Sequence, residues 1–239
     1  MNEISDKDDV LIGFIDEAAV SINEGSKYGH AFIGVTPLIN SPLSNCKVSV
    51  LACVLPGFGV LYKYYGSSVI GTDYADFLND VTNFLRKYVC SSNVQIVFVE
   101  DNCKIHRTQE VENTITKLNI GVIPDVPYSP ALNGVVEGYF GYVKLRHIDF
   151  SQYNEDDSFE CEEKIIHDKW ETISNTVFTT KISKNLYCEW KARLAQCVKG
   201  LPLVSGHIKI DDFLGDAKRL TTIKVFRDHK NTNYKQSNN

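Results

Sequence analysis

The sequence predicts an α/β domain: a mixed sheet, antiparallel in its first strands and parallel later, flanked by helices and followed by a C-terminal helical extension. Three observations lead there. Apolar runs of strand length come first and together, at Val10–Asp16, Ala31–Thr36, Lys47–Leu55 and Val60–Tyr65. From Asp73 the apolar period becomes that of helices, and short strands alternate with them. Beyond residue 150 only helical patterns remain.

Each element has a local reason. Val10–Asp16 reads VLIGFID, apolar without alternation, as suits a strand buried on both faces. Asn23–Gly29 and Pro37–Asn45 carry the Gly, Asn, Ser and Pro of loops, and Pro56-Gly57 marks a turn between strands. Thr72 is the expected N-cap of a helix over Asp73–Tyr88, where Tyr74, Phe77, Leu78, Val81, Phe84, Leu85 and Tyr88 recur at helical spacing as a core-facing stripe. Val94–Val99 is a buried strand, Thr108–Leu118 a helix capped by Thr108, Ile120–Ile123 a short strand and Gly134–His147 a third helix. Cys161–Phe178 and Leu186–Val198 should be helices covering the sheet, with Trp170 and Trp190 in the core.

Composition narrows the function classes. The chain has 239 residues, is 43% apolar and carries a net charge of −5, as expected of a globular protein and not of one whose main task is coating nucleic acid. No apolar stretch reaches the roughly 18 residues of a spanning helix and no signal peptide is evident, so no membrane partner and an intracellular location are expected. The seven cysteines are scattered without a C-x-x-C pair, which reads as reduced thiols. Zinc through Cys161 with His167, or Cys188 with Cys197, is the sharper alternative, but neither spacing fits a standard site.

The residues that carry chemistry are acids at element ends. Asp16 and Asp101 each close an apolar strand, where ligands collect in open α/β sheets. Glu137 lies on the third helix, where Val136, Tyr139, Phe140 and Val143 form the sheet-facing stripe while Glu137, Gly141 and Lys144 fall on its flank. In-line cleavage of a phosphodiester needs an activated nucleophile, a stabilised leaving oxygen and neutralised phosphate charge, which two Mg²⁺ about 4 Å apart provide. Magnesium takes hard oxygen ligands and keeps water, so three carboxylates are a fitting protein contribution.

These residues carry a family resemblance. VLIGFIDEAAV with YGHAFIG, then VFVEDNCKIHRTQEV, then PYSPALNGVVEGYFGYVK, resembles the catalytic domain of DDE transposases of the mariner and bacterial insertion-sequence superfamily, over Val10–His147. The resemblance implies a ribonuclease-H-like fold, DNA cleavage and strand transfer, and Mg²⁺ or Mn²⁺, two ions, held by Asp16, Asp101 and Glu137, with no organic cofactor. Asp16 matches the acid of the "DE" motif and Asp101 that of "DN-x-x-x-H". Counting forward from Tyr128 puts Val136 at the third acid's position; counting back from Lys144 puts Glu137 there, and only Glu137 can bind metal. The Trp usual after "YG" is replaced by His30.

Asn102, Lys104, His106, Arg107, Lys144 and Arg146 are the candidates for contacting DNA. The resemblance also implies transposon-end and target DNA as partners, a homodimer on DNA, and a nuclear location in a eukaryote or a cytoplasmic one in a bacterium. Family members place helix-turn-helix modules before the catalytic domain, whereas nine residues precede the first strand here, so that module is expected to be lacking. The expected layout is a disordered 1–9, a catalytic domain over 10–150, a helical extension over 151–206 and a basic, largely disordered tail over 207–239. The alternatives are an inactive remnant that binds DNA or a transposase partner, and another ribonuclease-H-like nuclease.

Overall fold

The computed structural model describes residues 10–21, 31–36, 46–90, 93–125, 133–147, 159–176 and 178–198. Its centre is β1 (Val10–Ser21), because nearly every residue of that run is apolar and both faces can be covered. Strand β1 pairs antiparallel with β2 (Lys47–Leu55), which pairs antiparallel with β3 (Gly59–Tyr65). On its other edge β1 runs parallel to β4 (Gln95–Glu100), and β4 parallel to β5 (Gly121–Pro124). The five-stranded order is β3-β2-β1-β4-β5, the mixed sheet expected from the sequence.

Alternation along β1 divides the core in two. Ile12, Phe14, Ala18 and Val20 face one layer and Ile15 the other. The second layer is covered by α1 (Gly71–Tyr88), through Tyr74, Phe77, Leu78, Val81 and Leu85, and by Val111 of α2 (Gln109–Leu118). Helix α2 ends at Asn119, whose left-handed φ of 50° lets its N–H reach the last carbonyls. The first layer is covered by α3 (Gly134–His147), α4 (Phe159–Thr176) and α5 (Thr180–Val198). Trp190 of α5 meets Phe14 edge-on at 4.9 Å, while Trp170 Nε1 of α4 donates to Tyr139 Oη of α3 at 2.9 Å. Both tryptophans are therefore core residues, and the C-terminal helices share a core with the sheet.

Four expectations need correction. Residues 31–36 form a turn, not a strand: Val35 N–H donates to the Phe32 carbonyl, Gly34 has φ 87°, and Phe32 and Ile33 are exposed. Among the described residues no strand pairs with this segment, so its β-prone side chains are not drawn into a sheet. Second, β1 continues past Asp16 to Ser21, because Glu17–Ser21 find partners in β2. Asp16 thus lies within a strand, although it sits just beyond the last residue pairing with β4. Third, Ile70, not Thr72, precedes α1, its N–H held by the Asp73 carboxylate at 3.1 Å. Fourth, α5 starts at Thr180, six residues before Leu186, where the Thr179 hydroxyl accepts from Ile182 N–H. Residues 1–9, the 37–45 loop, the PYSP stretch and the 207–239 tail lie outside the described residues.

Candidate active site

Strand register brings the first two acids together. Phe14 pairs with Val99 across the parallel ladder, so two residues further Asp16 lies beside Asp101. Asp16 shares the parity of Phe14, on the α3 side of the sheet, and Asp101 follows the last residue of β4. Two side chains moor α3 to β1: Asn133 Nδ2 reaches the Ile15 carbonyl at 3.4 Å and Lys144 Nζ the Ala19 carbonyl at 2.7 Å. Val135, Val136, Tyr139, Phe140 and Val143 bury the helix's apolar face. Glu137 is left exposed on the flank, while Val136 is fully inside the core.

The three carboxylates feel one another. Burial pushes Asp16 up to about 8; the Glu17 N–H, donating to its Oδ1 at 2.8 Å, pulls it down, and the charges of Glu137, Glu17 and Asp101 push it further up. Glu137 is also raised, by desolvation first and by Asp101, against the charge of Lys144. Asp101 is lowered, chiefly by its hydrogen bond to His106 and also by the Cys103 N–H. Both contacts fall on Asp101 Oδ1, and among the described residues neither Oδ2 of Asp101 nor Oδ2 of Asp16 has a hydrogen-bond partner. An all-oxygen donor set with spare lone pairs, repelled by its own charge, fits a hard divalent cation.

Beneath this cluster, on the α1 side, lies a second one. His106 is almost wholly buried; its Nδ1 lies 3.0 Å from Asp101 Oδ1 and its Nε2 3.0 Å from Glu17 Oε1. Its ring stacks on Tyr74 at 4.1 Å, and the Tyr74 hydroxyl donates to Glu100. Burial opposes a charged imidazole, but the hydrogen bonds to Asp101 and Glu17 and the charges of Glu17 and Glu100 outweigh it and raise His106 to about 11. Glu17, Asp101 and His106 place potential ligand atoms within 4.8 Å of one another. Each ring nitrogen of His106 faces a carboxylate oxygen, so the three side chains form a hydrogen-bonded brace against one side of Asp101.

The remaining candidates are divided. Asn102 donates to the Asp125 carbonyl and accepts from Arg107, tying the ends of β4 and β5 together. Lys104 and Arg107 lie on the exposed side of the 3-10 turn after β4. Lys144 turns back onto β1, and the side chain of Arg146 lies outside the described residues. Cys188 and Cys197 are free and exposed, with no shared ligand group among the described residues. The sequence argument missed Glu17, Tyr74 and Glu100; only strand alternation, which sets Glu17 opposite in direction to Asp16, hinted at the first. It also missed a cavity of about 270 Å³ beside Glu137, between α3 and α5, lined by Gly138, Leu186, Glu189, Trp190 and Arg193.

This fold and these acids define a class. The DDE superfamily endonuclease family matches residues 12–160, well over half of the chain, and the protein belongs to that family. Among solved structures it is similar to the Mos1 mariner paired end complex with Mn (TM-score 0.58, 19% identity, 79% of this chain and 55% of that one). It is also similar to the Mos1 transposase catalytic domain with Raltegravir and Mg (0.54, 18%, 79% and 82%) and to the Mos1 strand transfer complex (0.56, 19%, 80% and 54%). The fold is thus the ribonuclease-H-like one of the Mos1 transposase, and the chain spans about half the length of the transposase chains in those complexes. No curated protein sequence matches it. Among the described residues no helix is long and apolar enough to cross a membrane.

Proposed function

We propose that this chain is the catalytic core of a DDE-type transposase, cutting DNA phosphodiesters and joining 3′ ends to target DNA with Asp16, Asp101 and Glu137 as its metal-holding acids. The reading is supported by the strand register, which sets Asp16 beside Asp101, and by the charges of Glu137 and Asp101, both of which raise Asp16. The catalytic domain is assigned to residues 10–150, with 151–206 as its helical cover. DNA is the substrate, as in the Mos1 complexes, and a homodimer on DNA is the working state.

A divalent cation, Mg²⁺ or Mn²⁺ and in the working complex two, would neutralise the scissile phosphate and lower the pKa of the attacking oxygen's proton. The protein's part is placement. Asp16 is fixed by β1 and by the Glu17 N–H, so its free oxygen keeps one direction. Asp101 is held through Oδ1 by His106 and Cys103. Glu137 rides on α3, which Asn133 and Lys144 moor to β1, so the three acids keep their separation while DNA enters. Lys104 and Arg107, exposed beside Asp101, supply positive charge for the DNA backbone in an otherwise acidic protein.

A joining assay tests this. An oligonucleotide with a free 3′ hydroxyl is incubated with supercoiled plasmid and Mg²⁺ or Mn²⁺. Joined products are expected, and Asp101→Asn should remove them, with a loss of roughly 100-fold or more in rate. Metal-dependent nicking without any joined product would replace strand transfer by simple endonuclease action.

A further inference from the structure

We propose that Glu17 is a positioning residue of this active site: through His106 it fixes the Asp101 carboxylate by its Oδ1, leaving Oδ2 for a cation. The proposal rests on the active-site reading above. Its basis is a continuous chain of short contacts, with Glu17 Oε1 3.0 Å from His106 Nε2 and His106 Nδ1 3.0 Å from Asp101 Oδ1. Nδ1 also lies 3.2 Å from the Asp101 carbonyl, so the ring is registered against both ends of one residue.

The brace is rigid for stated reasons. His106 sits in a 3-10 turn with 1% of its side chain exposed, and its ring face is closed by Tyr74, whose hydroxyl is in turn fixed on Glu100. A buried imidazole stacked on one face still turns in its own plane unless each nitrogen has a partner, and Glu17 provides the one opposite Asp101. Glu17 follows Asp16 directly in β1, so alternation sends their side chains to opposite faces of the sheet. Adjacent acids therefore take different tasks, Asp16 on the metal side and Glu17 behind Asp101. Partners that orient ligands in this way govern metal affinity without touching the ion.

Calorimetric titration of the whole chain with Mn²⁺ alone separates the outcomes. Glu17→Ala should weaken Mn²⁺ binding by roughly 10- to 100-fold. Glu17→Gln keeps an oxygen acceptor for His106 and should recover most of that affinity. His106→Asn, which breaks the same contact from the other side, should match Glu17→Ala, and the double variant should be no worse than either single one. Should Glu17→Ala fail to fold, the comparison of Glu17→Gln with His106→Asn makes the same distinction. Wild-type affinity in Glu17→Ala or His106→Asn, with Asp101→Asn still abolishing binding, would overturn the proposal alone. Equal losses in Glu17→Gln and Glu17→Ala would make Glu17 a direct ligand and overturn it too. Undiminished binding in Asp101→Asn would instead remove the active-site reading, and this proposal with it.

Discussion

Asp16 shows how one position joins strand burial to chemistry. The residue is 9% exposed and its carboxyl is raised from 3.8 to about 8, so the folded chain holds the proton more tightly than the unfolded one. That preference stabilises the fold fully below the unfolded value and is lost as pH rises through the folded one. In chelator, the thermal midpoint of the protein relative to Asp16→Asn should therefore fall between pH 4 and pH 8, the window those two values define. Adding Mn²⁺ at the upper end should restore it, because a cation takes the proton's place. A midpoint difference that stays flat with pH would mean that Asp16 titrates as an exposed acid. The choice of Asp16, Asp101 and Glu137 came from the motifs of the family resemblance, since an acid beside an apolar run is by itself commonplace. The Glu17–His106 contact was not legible in the sequence, since it joins residues 89 apart and depends on the packing of α1 over the turn.

Among the elements, α3 is the one whose placement decides whether Glu137 reaches the other acids. Tyr139 ties it to α4, accepting from Trp170 Nε1 at 2.9 Å and lying 2.8 Å from Ser174 Oγ. Tyr139→Phe leaves the buried indole N–H without its partner and should cost about 1–3 kcal/mol, measured by urea unfolding. The fold should otherwise persist, and an unchanged midpoint would mean that water or a neighbour replaces the hydroxyl. Gly13 of β1 gives a second check. A Cβ there would lie 2.9 Å from the Phe98 ring and 3.0 Å from Cys53 Sγ, both buried, so Gly13→Ala should destabilise by about 1–3 kcal/mol in the same assay.

Apolar patterning read α1, α2 and α3 well, because each turns an apolar stripe inward, α3 onto the sheet and α2 chiefly onto α1. It failed at residues 31–36, where AFIGVT has strand composition but no pairing strand among the described residues, since pairing partners are not a local property. It also stopped β1 at Asp16, because a charged residue ends an apolar pattern even when the backbone ladder with β2 runs on to Ser21.

At the level of the whole molecule, the sheet separates two groups of polar side chains. The α1–α2 side carries the Tyr74, Glu100, His106 and Glu17 brace, and the α3–α5 side carries Glu137 and the cavity beside it. Asp16 and Asp101 stand where β1 and β4 part, the position from which both sides can be felt. The element order foretold this mixed sheet and its helical cover, with Trp190 of α5 against Phe14 and Trp170 of α4 against Tyr139 of α3. The account's central claim is that these acids make a metal-dependent DNA-cutting centre. Its most direct test is the nicking of supercoiled DNA in Mg²⁺ or Mn²⁺ by the wild-type chain, by Glu137→Gln and by Val136→Glu. The account predicts cutting by the wild type that chelator stops, its loss in Glu137→Gln, and no gain from Val136→Glu, whose side chain would enter the core. A folded wild-type chain that neither cuts nor binds metal, or one activated by Val136→Glu, would contradict it.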